Sequence, residues 1–211
     1  MRIHKTALNT LIISALVALA ALVMSLLGIG MKFVFGAEAT MAYLPLILAI
    51  LALVVLSFLF GWIRYDLAGA LTLAAAVLHD QFLSLALCAI LSLAFGLSSY
   101  APALLIAGVA ATYCFTIPLL RDARQLIRGA SSRDMTREQA ADLARKKNST
   151  LSVLTLFAVV LILAAFLVSG NIAMVGYVLP LITGLISALL SSRLITPYLW
   201  AAYTFRRANR K

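Results

Sequence analysis

The chain is poor in charged residues, and acidic residues are the scarcest of them. Only 7 of its 211 residues are Asp or Glu, against 17 Lys or Arg, and charged residues make up 11%. Soluble domains carry about 25% charged and about 45–50% apolar residues, whereas 64% of this chain is hydrophobic and its mean hydropathy is +1.07. A soluble globular enzyme is excluded, and so is a disordered chain, which needs low hydrophobicity. We expect an integral membrane protein.

Cysteine is also scarce, and the common motifs of enzymes are missing. Cys88 and Cys114 lie in apolar runs without the spacing of a disulfide framework or a zinc site. The sequence has no P-loop, no HExxH, no GxSxG and no paired carboxylates. It therefore predicts no catalytic residue, no cofactor and no metal, and the chain is not expected to be an enzyme.

Long apolar runs are what the chain has instead. A helix needs about 20 apolar residues to cross the hydrocarbon core, and the runs are continuous rather than alternating, which excludes a transmembrane β-barrel. Six runs are found, over about 6–30, 41–62, 67–90, 101–120, 151–169 and 174–192, with a loop over 121–150. Pro102 then falls in the first turn of the fourth helix, where its missing N–H costs little. We predict an all-α membrane protein with six transmembrane helices in one bundle, a single domain over 1–211.

The distribution of basic residues predicts the orientation. The segments 1–5, 63–66, 121–150 and 193–211 hold 2, 1, 8 and 5 Lys or Arg, which is 16 of the 17. Because cytoplasmic loops carry the excess of positive charge, both termini are predicted to be cytoplasmic. A cleaved signal peptide is a competing interpretation of the first run, with a small-residue site at 37–39. That run is far longer than the roughly 7–15 apolar residues of a signal peptide.

One acidic residue, Asp80, lies inside a predicted span, directly after His79. An ionisable group at a helix centre costs about 2.5–3.5 kcal/mol on insertion scales. Asp80 belongs to a stripe of small or weakly polar residues at every fourth position, as on a face that contacts another helix: Thr72, Ala76, Asp80, Ser84 and Cys88. Asp80 is therefore expected to point into the bundle. It either fixes helix packing or forms a proton or ion relay with His79, a residue type that titrates near neutrality.

Two further expectations concern spacing along the helices. Adjacent residues do not face each other on a helix, so His79 and Asp80 are expected to have different partners. The sixth span carries a second stripe of small residues, again at every fourth position: Gly176, Pro180, Gly184, Ala188 and Ser192. Such a stripe lets helix backbones approach closely, and a proline inside it can kink the helix. Tight packing is the preferred interpretation, and a hinge at Pro180 is the alternative.

The loop over 121–150 is basic, with eight basic and four acidic residues, a net 8 − 4 = +4. Three arginines are predicted to share one face of an extension of the fourth helix: Arg121, Arg124 and Arg128. After a break at 129–132, the run from Thr136 to Gln139 fits a capping box that opens an amphipathic helix. The loop has no aromatic residue, which speaks against nucleic-acid binding. Anchoring at anionic lipid headgroups is the better explanation, and docking on a cytoplasmic partner or the ribosome is a further possibility.

Two short motifs carry a family resemblance. Arg64-Tyr65-Asp66 lies at the start of the third span, and Leu78-His79-Asp80 follows, with Asp80 sixteen residues after Arg64. The last span ends with Gly184 to Ser192 and runs into an apolar tail and a basic cluster. Over roughly residues 45–205 the chain resembles SecF, the smaller subunit of the SecD–SecF accessory complex of bacterial protein export, in the resistance–nodulation–division superfamily of proton-driven transporters. The resemblance implies that Arg64 and Asp66 are family-motif residues.

The chain also departs from that family. SecF has an extracytoplasmic domain between its first two spans and an Asp-Phe-x-Gly-Gly motif after the first, but here only Met31–Thr40 fill the gap. The Asn-Asp pair of the family's fourth span has no acidic equivalent, since its position falls within 112–116. The Arg that enters the family's fifth span aligns with Asn148 or Thr150. The resemblance thus implies a reduced form, in which the His79-Asp80 pair is the one intramembrane ionisable site.

The function implied by the resemblance is assistance to preprotein translocation through the Sec pathway, in the plasma membrane of a prokaryote. The expected partners are a SecD-like subunit, contacted through the small-residue faces around Asp80 and Gly184, the Sec channel and membrane lipid. The exported polypeptide is an indirect substrate, and proton coupling comes mainly from the partner. Two alternatives stay open: a half-transporter of the same superfamily that moves a lipid or a small hydrophobic molecule, and a purely structural subunit.

Overall fold

The chain folds into a helical bundle, seen here in a computed structural model that describes residues 2–27, 32–35, 39–40, 43–95, 98–129, 135–170 and 172–208. Within these ranges there are seven helices and three short strands. In chain order they are α1 (Arg2–Leu26), β1 (Phe33–Phe35), β2 (Ala39–Thr40), α2 (Tyr43–Arg64), α3 (Leu67–Phe95), β3 (Ser99–Tyr100), α4 (Ala101–Arg128), α5 (Arg137–Val168), α6 (Ile172–Leu194) and α7 (Thr196–Ala208).

Five helices among the described residues, α1 to α4 and α6, are long and apolar enough to cross a membrane. The prediction of an all-α membrane protein is confirmed to this extent. The predicted fifth span, 151–169, lies in the second half of α5, which begins at Arg137 and runs without a break to Val168. The loop helix and the predicted span are therefore one continuous helix, and a total of six spans stays a prediction.

Local sequence signals define several helix ends. Asp66 precedes α3, and its Oδ1 accepts a hydrogen bond of 2.7 Å from the backbone N–H of Gly69, the third residue of the helix. This is the geometry of an N-cap. Pro102 lies in the first turn of α4, as predicted, and α4 continues to Arg128, so the three arginines do share a helical extension.

The capping box at the start of α5 is confirmed by two reciprocal bonds. The backbone N–H of Thr136 donates to Gln139 Oε1 at 2.8 Å, and the backbone N–H of Gln139 donates to Thr136 Oγ1 at 3.3 Å. Two amides at the helix start, which have no intrahelical partner, are thereby satisfied.

Replacing Thr136 with Ala is expected to destabilise the first turns of α5 by about 0.5–2 kcal/mol, because an amide loses its side-chain acceptor. Amide hydrogen exchange at Gln139 and Ala140 would measure the loss as faster exchange. Thr136→Ser keeps the acceptor and should exchange like the unmodified protein. Equal exchange rates in the Ala and Ser variants would show that the capping box contributes nothing to the stability of the first turns of α5.

The bundle is built around α3, α4 and α6, which pack against one another, while α2 packs on α3. Small residues make the close crossings possible. A Cβ atom on Gly184 of α6 would lie 3.1 Å from the backbone N of Gly108 in α4, and one on Gly61 of α2 would lie 2.7 Å from Ala70 Cα in α3. The predicted close approach at Gly184 is therefore confirmed.

The expected use of these faces was wrong, however. We expected the stripes around Asp80 and Gly184 to contact a partner subunit. Instead Thr72, Asp80 and Ser84 are fully buried within the chain, and Gly184 packs against α4. The reason is that a small-residue stripe indicates close helix contact but does not indicate which helix makes it.

The two ends of the bundle differ. At one end β1 pairs antiparallel with β2 and parallel with β3. Strands β1 and β2 both belong to the connection between α1 and α2, which is too short for a folded domain of its own. At the other end Arg124 Nη1 donates to Arg64 O, and Lys147 Nζ lies 3.3 Å from Asp122 Oδ2. We call this second end the basic end.

The apolar tail after the sixth predicted span is a helix, α7, which the sequence did not predict. It packs against α3 and α5 at the basic end. Its Trp200 is 4% exposed and belongs to a buried cluster with Leu73 of α3, Leu120 of α4 and Ala144 of α5. Burial of this indole ties the end of the chain to three helices of the bundle.

Candidate intramembrane site around Asp80

Asp80 lies near the middle of α3 and is completely buried, with hydrogen-bond partners on α4 (Thr112) and α6 (Ser191) as well as the neighbouring His79. Its Oδ2 is 2.6 Å from Thr112 Oγ1 of α4, and its Oδ1 is 3.1 Å from Nδ1 of His79. The expectation that Asp80 points into the bundle is therefore confirmed.

The expectation that His79 and Asp80 have separate partners was only half right. Each has a partner of its own, since Nε2 of His79 lies 3.0 Å from Ser14 Oγ of α1, but the two side chains also contact each other. The spacing rule concerns where side chains leave the helix. An imidazole ring is long enough for its Nδ1 to reach the neighbouring carboxyl group.

The number of hydrogen atoms that Thr112 can donate bears on the protonation state of Asp80. Thr112 Oγ1 is 2.8 Å from the carbonyl of Gly108 as well as 2.6 Å from Asp80 Oδ2. A hydroxyl group has one hydrogen to donate, so it cannot donate fully to both oxygens. The arrangement suits both protonation states of Asp80: a carboxylate accepts from Thr112, whereas a carboxylic acid can donate to Thr112, which then donates to Gly108.

Together these groups form a continuous hydrogen-bonded row across α3. It begins at Thr112 on α4, passes through Asp80 and His79, and ends at Ser14 on α1. The carboxyl side chain is inaccessible, whereas 13% of the His79 side chain is exposed. The row therefore connects a buried proton-binding group to a partly accessible one.

A second set of polar contacts continues along α3 and α6 towards the sheet end. Ser84 Oγ lies 3.0 Å from Thr183 Oγ1 of α6. Ser99 Oγ donates to the carbonyl of Gly176 at 3.3 Å. That carbonyl has no amide donor four residues on, because Pro180 lacks an N–H. Pro180 is thus accommodated inside a continuous α6, and the hinge stays a prediction.

Gln81 is a buried polar residue that the sequence did not single out. Its Nε2 donates to the carbonyl of Leu105 in α4 at 3.3 Å, while its Oε1 is buried without a partner among the described residues. A Cβ atom on Gly108 would lie 2.3 Å from this Nε2. The amide therefore occupies the space that Gly108 leaves open, and an uncharged residue gives no sequence signal of this.

The fold does not place Arg64 and Asp66 close to Asp80. Asp66 precedes Asp80 by fourteen residues of helix, about 21 Å at 1.5 Å per residue, and it caps α3. Arg64 lies at the basic end with the arginines of α4. The structure gives the Arg-Tyr-Asp motif a role at the helix end rather than at the intramembrane site.

A second buried acid, Asp122, was also missed as a site. It is 5% exposed, and its Oδ2 accepts a hydrogen bond of 3.0 Å from Asn148 Nδ2 of α5 and lies 3.3 Å from Lys147 Nζ. These contacts join α5 to α4 at the basic end. In the part of the chain that the structure describes, no group of three or more His, Cys, Asp or Glu could hold a metal ion.

Two threonines one turn apart on α4 offer a test of the Asp80 contact. Thr112→Val is expected to destabilise the protein by about 1–3 kcal/mol, because the buried Asp80 Oδ2 loses its 2.6 Å hydrogen bond to Thr112. Thr116 Oγ1 is buried and unpartnered among the described residues, so Thr116→Val should be neutral or stabilising. Thermal unfolding of both variants in one detergent would measure the difference, and equal melting temperatures would contradict the assigned contact.

The family described as protein export membrane protein SecD/SecF, C-terminal, matches residues 31–206, which covers α2 to α6 and most of α7. Neither a curated protein nor a solved structure matches the chain.

Proposed function

The chain belongs to the family of SecD/SecF protein-export membrane proteins, and from this we propose that it is a SecF-like subunit that assists preprotein translocation through the Sec pathway, paired with a SecD-like partner. The observation that carries the proposal is the family match over residues 31–206 on a bundle of apolar helices. Membership in the family supports a role in the export machinery of the membrane. The pairing with a SecD-like partner is our proposal.

The proposed location is the plasma membrane of a prokaryote, with six spans and both termini in the cytoplasm. The second half of α5 would be the sixth span, in addition to the five described. Contacts such as Arg124 to Arg64 and Lys147 to Asp122 gather basic segments at one end of the bundle. That arrangement supports a cytoplasmic basic end, because cytoplasmic segments carry the excess of Lys and Arg.

The proposed partner surface is not the one around Asp80 or Gly184, since those faces are occupied inside the chain. The surfaces left for another membrane subunit include the exposed apolar faces of α1, α2 and α5, with Leu16 on α1, Leu48 and Val55 on α2, and Leu154 and Phe157 on α5 among their residues. A SecD-like partner would supply the substrate-binding domain, for which the segment between α1 and α2 is too short.

We assign the His79-Asp80 pair to proton binding within this function. Asp80 is placed so that it can hold a proton between Thr112 and His79, and His79 connects it to Ser14. No acidic residue lies in α4 before Asp122, so the family's usual fourth-span acid has no counterpart and Thr112 stands in contact with Asp80 instead. The partner then provides the larger part of the proton coupling. The His79-Asp80 pair provides the smaller part that comes from this chain.

The first experiment is a tagged pull-down from native membranes in mild detergent, followed by mass spectrometry. We expect near-equal recovery of a SecD-like protein, with or without the Sec channel. Recovery of the chain alone as a dimer would contradict the export proposal. A tagged unrelated six-span protein from the same membranes is the control for non-specific capture.

One observation favours the alternative of a half-transporter for lipids or small hydrophobic molecules. A groove of about 580 Å³ lies between α1, α2 and α3, and its walls are almost wholly apolar, with Leu22, Ile47, Ile50 and Phe82 among them. Transport activity of the purified chain in proteoliposomes, without any Sec component, would support this alternative. Strict dependence on a Sec component would contradict it.

A further inference from the structure

Four arginine side chains line a single pocket at the basic end of the bundle. The pocket has a volume of about 380 Å³ and lies between the end of α2 and the end of α4. Arg64 comes from α2, and Arg121, Arg124 and Arg128 come from α4, with Tyr65 and Gln125 completing the walls. The three arginines of α4 share a face because their spacings are three and four residues.

The positive charge of this pocket is not balanced from within. None of its lining residues is acidic. Two acids of the described residues at this end are engaged elsewhere: Asp66 caps α3, and Asp122 contacts Asn148 and Lys147 and approaches Arg121 Nε only at 3.9 Å. Burial raises the pKa of the Tyr65 phenol above its ordinary value, although the charges of nearby arginines lower it. The phenol therefore contributes no negative charge.

This chemistry matches a phosphate group. A guanidinium group presents a planar fork of N–H donors that binds phosphate oxygens in pairs, and arginine is the preferred residue for such contacts. One guanidinium, that of Arg124, is held in place because its Nη1 donates to the carbonyl of Arg64 at 3.1 Å. Arg64, Arg121 and Arg128 line the rest of the pocket.

The position of the pocket selects a lipid as the source of the phosphate. Arg64 directly follows Trp62 and Ile63, whose side chains are 58% and 88% exposed on α2. An exposed indole at the end of an apolar span is typical of the headgroup level of a bilayer. A phosphate in the pocket would thus lie at headgroup depth, with acyl chains beside the apolar surface of α2.

We propose that this pocket is a binding site for the phosphate headgroup of an anionic phospholipid. The site is independent of the export function, because it requires only the chain and a bilayer. It also gives a defined location to the attraction between a basic segment and anionic lipids, which otherwise acts over a whole surface.

Trp62 provides a direct measurement. The purified protein is placed in phosphatidylcholine vesicles that contain a minor fraction of phosphatidylglycerol, and only one of the two lipids carries brominated acyl chains, which quench tryptophan fluorescence at short range. A Trp62→Phe variant gives the signal of the buried Trp200, which is subtracted. We expect brominated phosphatidylglycerol to quench Trp62 several-fold more than the same fraction of brominated phosphatidylcholine. Equal quenching by the two lipids would overturn the proposal.

A pair of matched double variants tests the pocket itself. Arg121→Gln with Arg128→Gln should weaken the preference for phosphatidylglycerol by about 30-fold, since each basic residue near an anionic surface is worth about fivefold. Arg137→Gln with Lys146→Gln removes the same charge from α5, outside the pocket, and should retain the preference. An equal loss in both double variants would assign the effect to the general surface potential and overturn the site.

A third measurement separates the lipid from a free ion. Inorganic phosphate is added to the vesicles, with sodium chloride of equal ionic strength as the control, and we expect the two additions to affect the quenching equally. Displacement of phosphatidylglycerol by inorganic phosphate alone would overturn the lipid as the specific ligand and assign the pocket to a free phosphate ion.

Discussion

Replacing Asp80 with Asn is expected to leave the bundle folded and assembled with its partner while the proton-driven export of a secreted reporter falls by the share of the coupling that this pair provides, which is smaller than the partner's share. Asparagine has nearly the shape of a protonated aspartic acid. Its amide nitrogen can donate to Thr112 Oγ1 at the place of the Asp80 Oδ2 proton, and its oxygen can accept from His79 Nδ1, so the contacts at 2.6 Å and 3.1 Å are retained. What asparagine cannot do is release a proton.

The measurement is export of the reporter in cells that carry only the variant, together with co-purification of the partner. Ser84→Ala is the matched control, because it removes a buried hydroxyl group one turn away, at 3.0 Å from Thr183, without touching a titratable group. Normal export in the Asp80→Asn variant with intact assembly would show that Asp80 only fixes the packing. That result would favour the structural subunit over proton coupling.

Asp80→Leu separates folding from proton binding at the same position. Leucine leaves Nδ1 of His79 without its partner and leaves Thr112 with the Gly108 carbonyl alone, and each buried group left unsatisfied costs about 1–3 kcal/mol. This variant should lose both stability and export, whereas Asp80→Asn should lose export alone. Comparing the two distinguishes a proton carrier from a packing residue.

Gly184→Leu is the substitution with the largest expected effect on stability. A Cβ atom at this position would lie 3.1–3.3 Å from backbone atoms of Gly108 and Ala107, and backbone cannot move aside as a flexible side chain can. Adding a leucine side chain forces α6 away from α4, at a cost of about 1–3 kcal/mol for overpacking and more where a whole helix moves. Thermal unfolding of the purified protein in detergent should show a clearly lower midpoint.

Ala110→Leu is the control for the added bulk. Ala110 is on the exposed face of α4, so the same enlargement should change the unfolding midpoint little. If Gly184→Leu unfolded at the same temperature as Ala110→Leu, the close crossing of α4 and α6 would be contradicted. The contacts of Ser84 with Thr183 and of Ser99 with Gly176 depend on that crossing, so they should be lost together with it.

Local features were predictable from the sequence because they depend on neighbours along the chain. The apolar runs of α1 to α4 and α6, the capping box at Thr136 and the place of Pro102 are of this kind. Asp80 stood out as well, since a lone acid in an apolar run has few explanations other than burial in the bundle.

Features that depend on tertiary packing were not predictable. Gln81 carries no charge and nothing in the sequence distinguishes it from other polar residues in the spans, while for Thr112 the resemblance indicated only that a family acid is missing within 112–116. The contact between His79 and Asp80 depends on side-chain torsions rather than on helix spacing. The stripe at Gly184 correctly indicated a close crossing, but its partner helix, α4, follows only from the folded bundle.

The continuity of α5 has a mechanical consequence. Its 32 residues form a rod of about 48 Å, fastened to α4 where Asn148 contacts Asp122, about a third of the way along. The polar half of the rod is also held, because Ala141 and Ala144 are buried in the cluster that contains Trp200 of α7. A shift of α7 or of the end of α4 is therefore transmitted along one unbroken helix to the apolar half of α5, with no hinge between the two halves to absorb it.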